Sequence, residues 1–189
     1  MALSDTDIKK AIEAGEIKVD PSLDYETQLG SCSIDFRLGN TFNLFNHSQH
    51  PYIDLRNAAF DTQDIMREVE IGDDEDFIMQ PGEFVLAITK EHLELSPSIM
   101  GRIEGRSSLG RIGIIVHGTA SVFDPGWQGR PTLELGNLGN MPVALYPGMR
   151  ICSFTFETLS SPSENPYCLR KNSKYKFQDK PHASRIHHD

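Results

Sequence analysis

The sequence predicts an all-β sandwich or distorted barrel with one short N-terminal helix. Three observations carry that reading. Ile34, Phe36 and Leu38 alternate with Ser33, Asp35 and Arg37, the period of a half-buried strand. Short apolar runs recur at close spacing through the middle of the chain. Glycine and proline break those runs where turns are needed, most clearly at Pro81-Gly82 and Pro147-Gly148.

The elements follow in order. Residues 4–14 form a short amphipathic helix: Ser4 caps it, and Asp5 and Asp7 stand in its first turn, where negative charge meets the positive end of the helix dipole. Ile8, Ala11 and Ile12 make its apolar stripe and Gly15 stops it, so its role is packing. After Pro21 the period becomes two. The strand at 33–38 is expected to turn at Gly39-Asn40, with Phe42 and Leu44 on a returning strand. Residues 57–76 read as an acidic excursion with a short helical stretch near Asp64–Val69. Further strands are expected at 83–89, 99–104, 112–117, 131–136, 142–146 and 150–157. The recurring Pro-Gly pairs suggest related hairpins, without a sequence repeat. From Ser160 onward the chain is rich in Pro, Ser, Asn and basic residues and reads as an irregular arm or flexible tail.

At 189 residues the chain is expected to be one domain, 1–189, with a substantial core. A net charge of −9 argues against a nucleic-acid binder. The charge is uneven. Residues 1–159 carry 12 Lys+Arg against 24 Asp+Glu, whereas residues 160–189 carry 6 against 3. A basic arm on an acidic body is either a solvated end or a cover for a polyanionic small ligand. Cys32, Cys152 and Cys168 form no Cys-x-x-Cys pair and suggest reduced thiols in a cytoplasmic protein. The first residues lack the apolar run of a signal peptide, and no segment approaches the ~18 apolar residues of a membrane span.

Three groups of residues carry candidate chemistry. In Arg106-Ser107-Ser108-Leu109-Gly110-Arg111, Ser107 can cap a helical turn whose free N–H groups meet an anion, with two hydroxyls and two guanidiniums beside them. The same residues also make an ordinary capped loop, and the spacing is not that of a Walker P-loop. Glu134 sits between Leu133 and Leu135, so on a strand it shares a face with Thr132 and Gly136, opposite the leucines. That face is either solvated or a second cavity, where a carboxylate can relay protons. Asp124-Pro125-Gly126-Trp127 reads first as a turn, and its Asp can also hold a sugar hydroxyl. His117, after Ile114-Ile115-Val116, is read as structural. His92-Leu93-Glu94 matches the first half of the zinc deaminase signature, but Pro-Cys-x-x-Cys is absent, so a catalytic zinc is not expected. His187-His188 is read as a tail.

Taken together and in order, Gly105 to Arg111, Val116-His117-Gly118-Thr119-Ala120, Asp124 to Trp127 and Thr132-Leu133-Glu134 resemble the dCTP deaminase family of the dUTPase-like superfamily. Ser4-Asp5, Ile34 to Gly39, Pro81-Gly82-Glu83, Pro147-Gly148-Met149 and the tail extend the resemblance over essentially the whole chain. It implies a distorted barrel or jelly roll of the dUTPase-like type, a homotrimer with sites between subunits, and zinc-independent conversion of dCTP to dUTP and ammonia. Magnesium would accompany the triphosphate, and dTTP would be a feedback inhibitor. Glu134 would be general base and acid, with Arg111 and Ser107 as the other essential positions and the Ala120 carbonyl holding the water. Arg106, Ser107, Ser108, Leu109, Gly110 and Arg111 would surround the nucleotide. Asp124 would meet the deoxyribose, and Thr132, Leu133 and Glu134 would line the base pocket. Tyr167, Lys174 and Gln178 would bind from the arm, making 160–189 a lid.

Within that family a bifunctional form also cleaves the triphosphate to release dUMP. Trp127, Ser153 and Ala183-Ser184-Arg185-Ile186 resemble the monofunctional members. Gly110 and the stretch from Ser160 to Tyr167 look like the bifunctional type, and Ser121-Val122 matches neither. The expectation is deamination alone. A noncatalytic nucleotide sensor and a carbohydrate- or protein-binding jelly roll are the other classes. The joint presence of Ser107, Arg111 and Glu134 argues against both.

Overall fold

The computed structural model describes residues 1–46, 52–56 and 62–186. The expected N-terminal helix, α1, spans Asp5–Glu13. The Ser4 hydroxyl accepts from the Asp7 N–H at 3.3 Å and donates to the Asp7 carboxylate at 3.0 Å. Those contacts, the Ser4 hydroxyl first and Lys10 next, hold the Asp7 carboxyl below its usual range. Ile8 and Ala11 are buried beneath the helix.

Strand β1 follows at Ile17–Asp20, then the short helix α2 at Tyr25–Gln28. Strand β2 runs from Ser33 to Phe45 without interruption. The hairpin expected at Gly39-Asn40 does not form. The strand instead carries an irregularity between Leu38 and Phe42 in its pairing with the strand that contains Thr89. Gly39 permits the close approach there, since a Cβ at 39 would lie 2.9 Å from the Ile88 carbonyl oxygen. Alternation on both sides of a glycine is the pattern of a kinked strand as well as of a hairpin.

The helical stretch expected near Asp64–Val69 is a 3₁₀ turn at Thr62–Ile65 followed by β3 at Met66–Glu70. Then come β4 (Phe77–Met79), β5 (Phe84–Thr89), β6 (His92–Leu95) and β7 (Ile99–Gly105). Helix α3 is a single turn at Ser107–Gly110, and β8, expected over 112–117, is only Ile114–Ile115. The remaining strands are β9 (Val122–Phe123), β10 (Gln128–Gly129), β11 (Thr132–Asn137), β12 (Val143–Leu145) and β13 (Arg150–Thr158).

The predicted mainly β class is the observed one. The principal sheet runs β8-β11-β5-β2-β13-β7-β9, with β3 on the second half of β2, and it curls into a half-barrel. Two smaller sheets run β1-β6-β10 and β12-β4. The core is aromatic at its centre. Phe154 meets Phe36 at 4.7 Å and Phe123 at 4.9 Å between ring centroids, and Phe123 meets Trp127 edge-on at 4.7 Å. Full burial of side chains of this size contributes about 1.5–3 kcal/mol each.

A buried acid, unforeseen in the sequence, pins this core at the turn between β5 and β6. Glu91 is fully buried. It accepts from the Arg37 N–H at 2.7 Å, Arg37 Nε at 2.6 Å and Gln28 Nε2 at 3.1 Å. One carboxylate thus joins α2, β2 and the β5–β6 turn. Cys32, Cys152 and Cys168 are free thiols, and burial pushes Cys152 far above the ordinary thiol range. Among the described residues no helix is long and apolar enough to cross a membrane.

The arm from Ser160 onward is docked, contrary to a flexible tail. Gln178 forms a parallel bridge with Gly129 and exchanges bonds with Arg130, its carbonyl accepting at 2.7 Å and its side chain donating at 2.9 Å. The Asn43 amide donates to the Pro181 carbonyl at 2.8 Å, and Thr62 Oγ1 donates to the Ser184 carbonyl at 2.6 Å. Lys180 pairs with Glu68 at 2.7 Å, which raises the lysine above its ordinary pKa. His187 and His188 lie outside the described residues.

Candidate functional site

Strand register builds the site. Glu134 on β11 stands opposite Leu86 on β5, Leu86 opposite Asn43 on β2, and Asn43 opposite Glu68 on β3. Directly opposed residues share a sheet face, so this row looks outward. The adjacent row, Leu135 with Val85, is fully buried and looks into the core. The arm crosses the outward face and converts it into a cavity of about 450 Å³. Thr132, Glu134, Asp124, Tyr167 and Gln178 form its polar part, with Tyr175 and His182 from the arm, and Ala120 lines the same wall. Phe45, Met66, Phe84 and Leu86 form its apolar floor.

The Glu134 carboxylate is held. Its Oε2 accepts from the Gly118 N–H at 2.6 Å, and its own N–H donates to the Val116 carbonyl at 3.0 Å. The chain from Val116 to Gly118 therefore grips both backbone and side chain of this residue. Two positions away, the Thr132 hydroxyl is buried, has no hydrogen-bond partner among the described residues and belongs to the same cavity wall. A buried hydroxyl left bare costs about 1–3 kcal/mol, which makes it a ready donor or acceptor for a bound molecule.

The other wall is the turn at Asp124. Gly126 has φ +78° and abuts the arm, where a Cβ would fall 2.5 Å from Pro166 Cβ. The Asp124 carboxylate meets Arg170 at 3.0 Å, and Tyr167 N–H donates to the Pro125 carbonyl at 2.8 Å. The Tyr167 hydroxyl accepts from the Tyr175 N–H at 3.1 Å, and the Lys174 carbonyl accepts from Arg185. His182 titrates below the ordinary histidine range, chiefly through burial and then through nearby Arg185.

The Ser/Arg loop stands elsewhere in the protomer. Arg106, Ser107 and Gly110 line a separate groove of about 310 Å³ with His117 and β8. Ser107 is the first residue of α3 rather than its cap; Arg106 occupies the cap position, without a side-chain cap. Arg106 is fixed by Asp35 at 3.3 Å and by the Arg150 carbonyl at 3.1 Å. Ser108 and Arg111 are exposed, and among the described residues the Arg111 guanidinium has no ion pair or hydrogen bond. Leu109 and Leu133 belong to the hydrophobic core, so their side chains face away from either cavity.

Sequence reasoning missed Asp35, which braces Arg106, and the arm's Tyr175 and His182. It also passed over Gly118 as a glycine in a motif. A single sequence carries no signal for a backbone N–H aimed at a carboxylate. Among the described residues no three His, Cys, Asp or Glu side chains gather as a metal site.

A family model described as dCTP deaminase-like matches residues 2–159. A protein of Thermomicrobium roseum named dCTP deaminase is 55% identical over 98% of this chain and 94% of its own length. One of Dictyoglomus thermophilum, named dCTP deaminase, dUMP-forming, is 48% identical over 100% of this chain and 96% of its own. The crystal structure of a 2'-deoxycytidine 5'-triphosphate deaminase from Agrobacterium tumefaciens superposes with a TM-score of 0.65 at 20% identity. That match covers 84% of this chain and 48% of the longer one, and it speaks to the fold alone.

Proposed function

The chain belongs to the dCTP deaminase-like family, and from that premise we propose that it converts dCTP and water to dUTP and ammonia. The observation that carries this reading is the Glu134 carboxylate, held by the Gly118 N–H inside a cavity beneath the arm. Water adds to C4 of the cytosine while Glu134 takes one of its protons and delivers it to ring N3. The same carboxylate then moves the remaining hydroxyl proton to the exocyclic amine. The C4–N bond breaks and ammonia leaves, so both protons of the water are placed and a carbonyl remains at C4.

The Ala120 carbonyl, on the same cavity wall, orients the water, and the Thr132 hydroxyl supplies a polar contact to the base. Asp124 receives the deoxyribose, for which it must share or release Arg170. Tyr167, Lys174 and Gln178 bind from the arm, which serves as a cover for the nucleotide. Magnesium enters on the triphosphate as part of the substrate. No zinc is assigned a role in this reading.

Arg106 and Ser107 line a different groove from Glu134 within one protomer, and Arg111 lines neither. This supports a site shared between copies, in which a neighbour's loop completes the Glu134 cavity. A homotrimer is the assembly proposed. The exposed Arg111 guanidinium is then available to balance the carboxylate across the interface.

A second reading rests on a name. The Dictyoglomus thermophilum relative is called dUMP-forming, as is one of Methanosphaera stadtmanae at 47% identity, whereas the 55% relative is called dCTP deaminase without that qualifier. Incubation with dCTP and magnesium, with ammonia followed and nucleotides separated, decides. Ammonia matched by dUTP is the expected result; dUMP and pyrophosphate in step with ammonia would establish the bifunctional reading. Glu134→Gln should bind dCTP and lose turnover by at least about 100-fold.

A further inference from the structure

Gly118 makes two contacts with the proposed proton relay. Its N–H donates to Glu134 Oε2 at 2.6 Å. Its Cα hydrogen occupies the place where a Cβ would lie 2.9 Å from that same oxygen. No real Cβ sits so near another heavy atom without something moving. The mobile partner here is the far end of the Glu134 side chain, because the strand behind it is fixed by the Glu134 N–H bond to Val116 and by pairing with β5.

We propose that Gly118 is a positioning residue for the deamination, acting through Glu134: its N–H fixes Oε2 and its missing side chain leaves the carboxylate room to stay there. The inference rests on the deaminase reading and deepens it. A carboxylate held by one oxygen presents the other, Oε1, for proton transfer, and among the described residues Oε1 has no protein partner. Charge-assisted bonds of this kind are short and directional. They replace a search over rotamers by a single placement, which matters for a group that must take and return a proton at two different substrate atoms.

The fold does not need this glycine for its backbone. Gly118 is not among the residues with left-handed φ, so alanine fits the chain path. The position is also exposed. Gly118→Ala therefore tests the Cβ alone.

The expected outcome is a Gly118→Ala protein with an unchanged melting temperature, a KM for dCTP within about threefold of the parent, and kcat lower by roughly 10- to 100-fold, the cost of moving a reacting group by about an ångström. In a Glu134→Asp background, where the shorter side chain withdraws from the Cβ, the same substitution should cost less than threefold. A parental kcat in Gly118→Ala, or an equal loss in both backgrounds, would overturn the proposal. One readout needs no substrate. In glycine-labelled protein the Gly118 amide resonance should shift on Glu134→Gln, as a charged acceptor becomes a neutral one. No shift would sink the positioning role whether or not the protein deaminates. A shift with no ammonia from the parent would leave the contact standing and reject the deaminase reading.

Discussion

Single residues in this protein act through the groups that surround them. Glu91 is the clearest case. A fully buried carboxylate is tolerable because three donors converge on it: the Arg37 N–H, the Arg37 guanidinium and Gln28. Replacing it with alanine leaves the Arg37 charge and two N–H groups without their acceptor. The expected loss of unfolding free energy is about 3–5 kcal/mol, measured by denaturant titration. Glu91→Gln should cost less, since it keeps an acceptor. Nothing in Lys90-Glu91-His92 distinguishes this acid from a solvated one; its partners come from residues 28 and 37, far along the chain. Glu134 was legible by contrast, since the leucines flanking it fix its face by strand period alone. Its grip by Gly118 was not, because a backbone N–H leaves no mark in the letters.

Elements with strong local signals were read correctly. Helix α1 carries its cap, charge pattern and apolar stripe within eleven residues. In strand β2 the alternation marks the strand, whereas Gly39 inside it carries the same local signal as a turn. Short strands such as β9 and β10, two residues each, exist only because neighbours pair with them and have no periodicity to detect. The arm's docking has no local signal for a related reason. Its composition is that of a linker, and its order comes from individual bonds to Asn43, Thr62, Glu68 and Arg130.

The arm's attachment should respond to pH. His182 has a depressed pKa when docked, from burial and then Arg185, against partial opposition from Asp179 and Glu68, with Lys180 adding to the depression. Free histidine titrates near 6.5. As pH falls below that value, the undocked arm takes a proton before the docked arm does, so docking weakens. Its full contribution is present above about 6.5 and is lost as pH drops through the lower docked value. Amide exchange of residues 175–185 should therefore accelerate below pH ~6.5, after correction for intrinsic rates. His182→Gln should flatten the response.

At the scale of the whole molecule, the outward face of one curled sheet carries the candidate site, and the loop expected to complete it points to a different groove. The mainly β class was legible because many short apolar runs separated by Gly and Pro permit few other folds. The placement of Arg106-Ser107 and Glu134 on separate grooves of one protomer has no local signal, and only the family resemblance implied sites between subunits. A shared site has a direct test. Glu134→Gln and Arg111→Ala should each be inactive alone. Unfolded together and refolded as mixed oligomers, they should regain part of the activity, because some interfaces then bring an intact Glu134 to an intact Arg111. No recovery in demonstrably mixed oligomers would mean that each protomer builds its own site.

The arm that roofs the cavity follows every strand of the sheet in chain order. During synthesis, Phe45, Met66, Phe84 and Leu86 leave the ribosome before Tyr175, His182 and Ile186 exist to cover them. The nascent sheet therefore has a greasy side for as long as translation of the last segment takes. Apolar strand surface left open in this way promotes association between chains. A chain truncated after residue 165 and released from the ribosome should fold in its core yet aggregate, and its rescue should require only the missing roof.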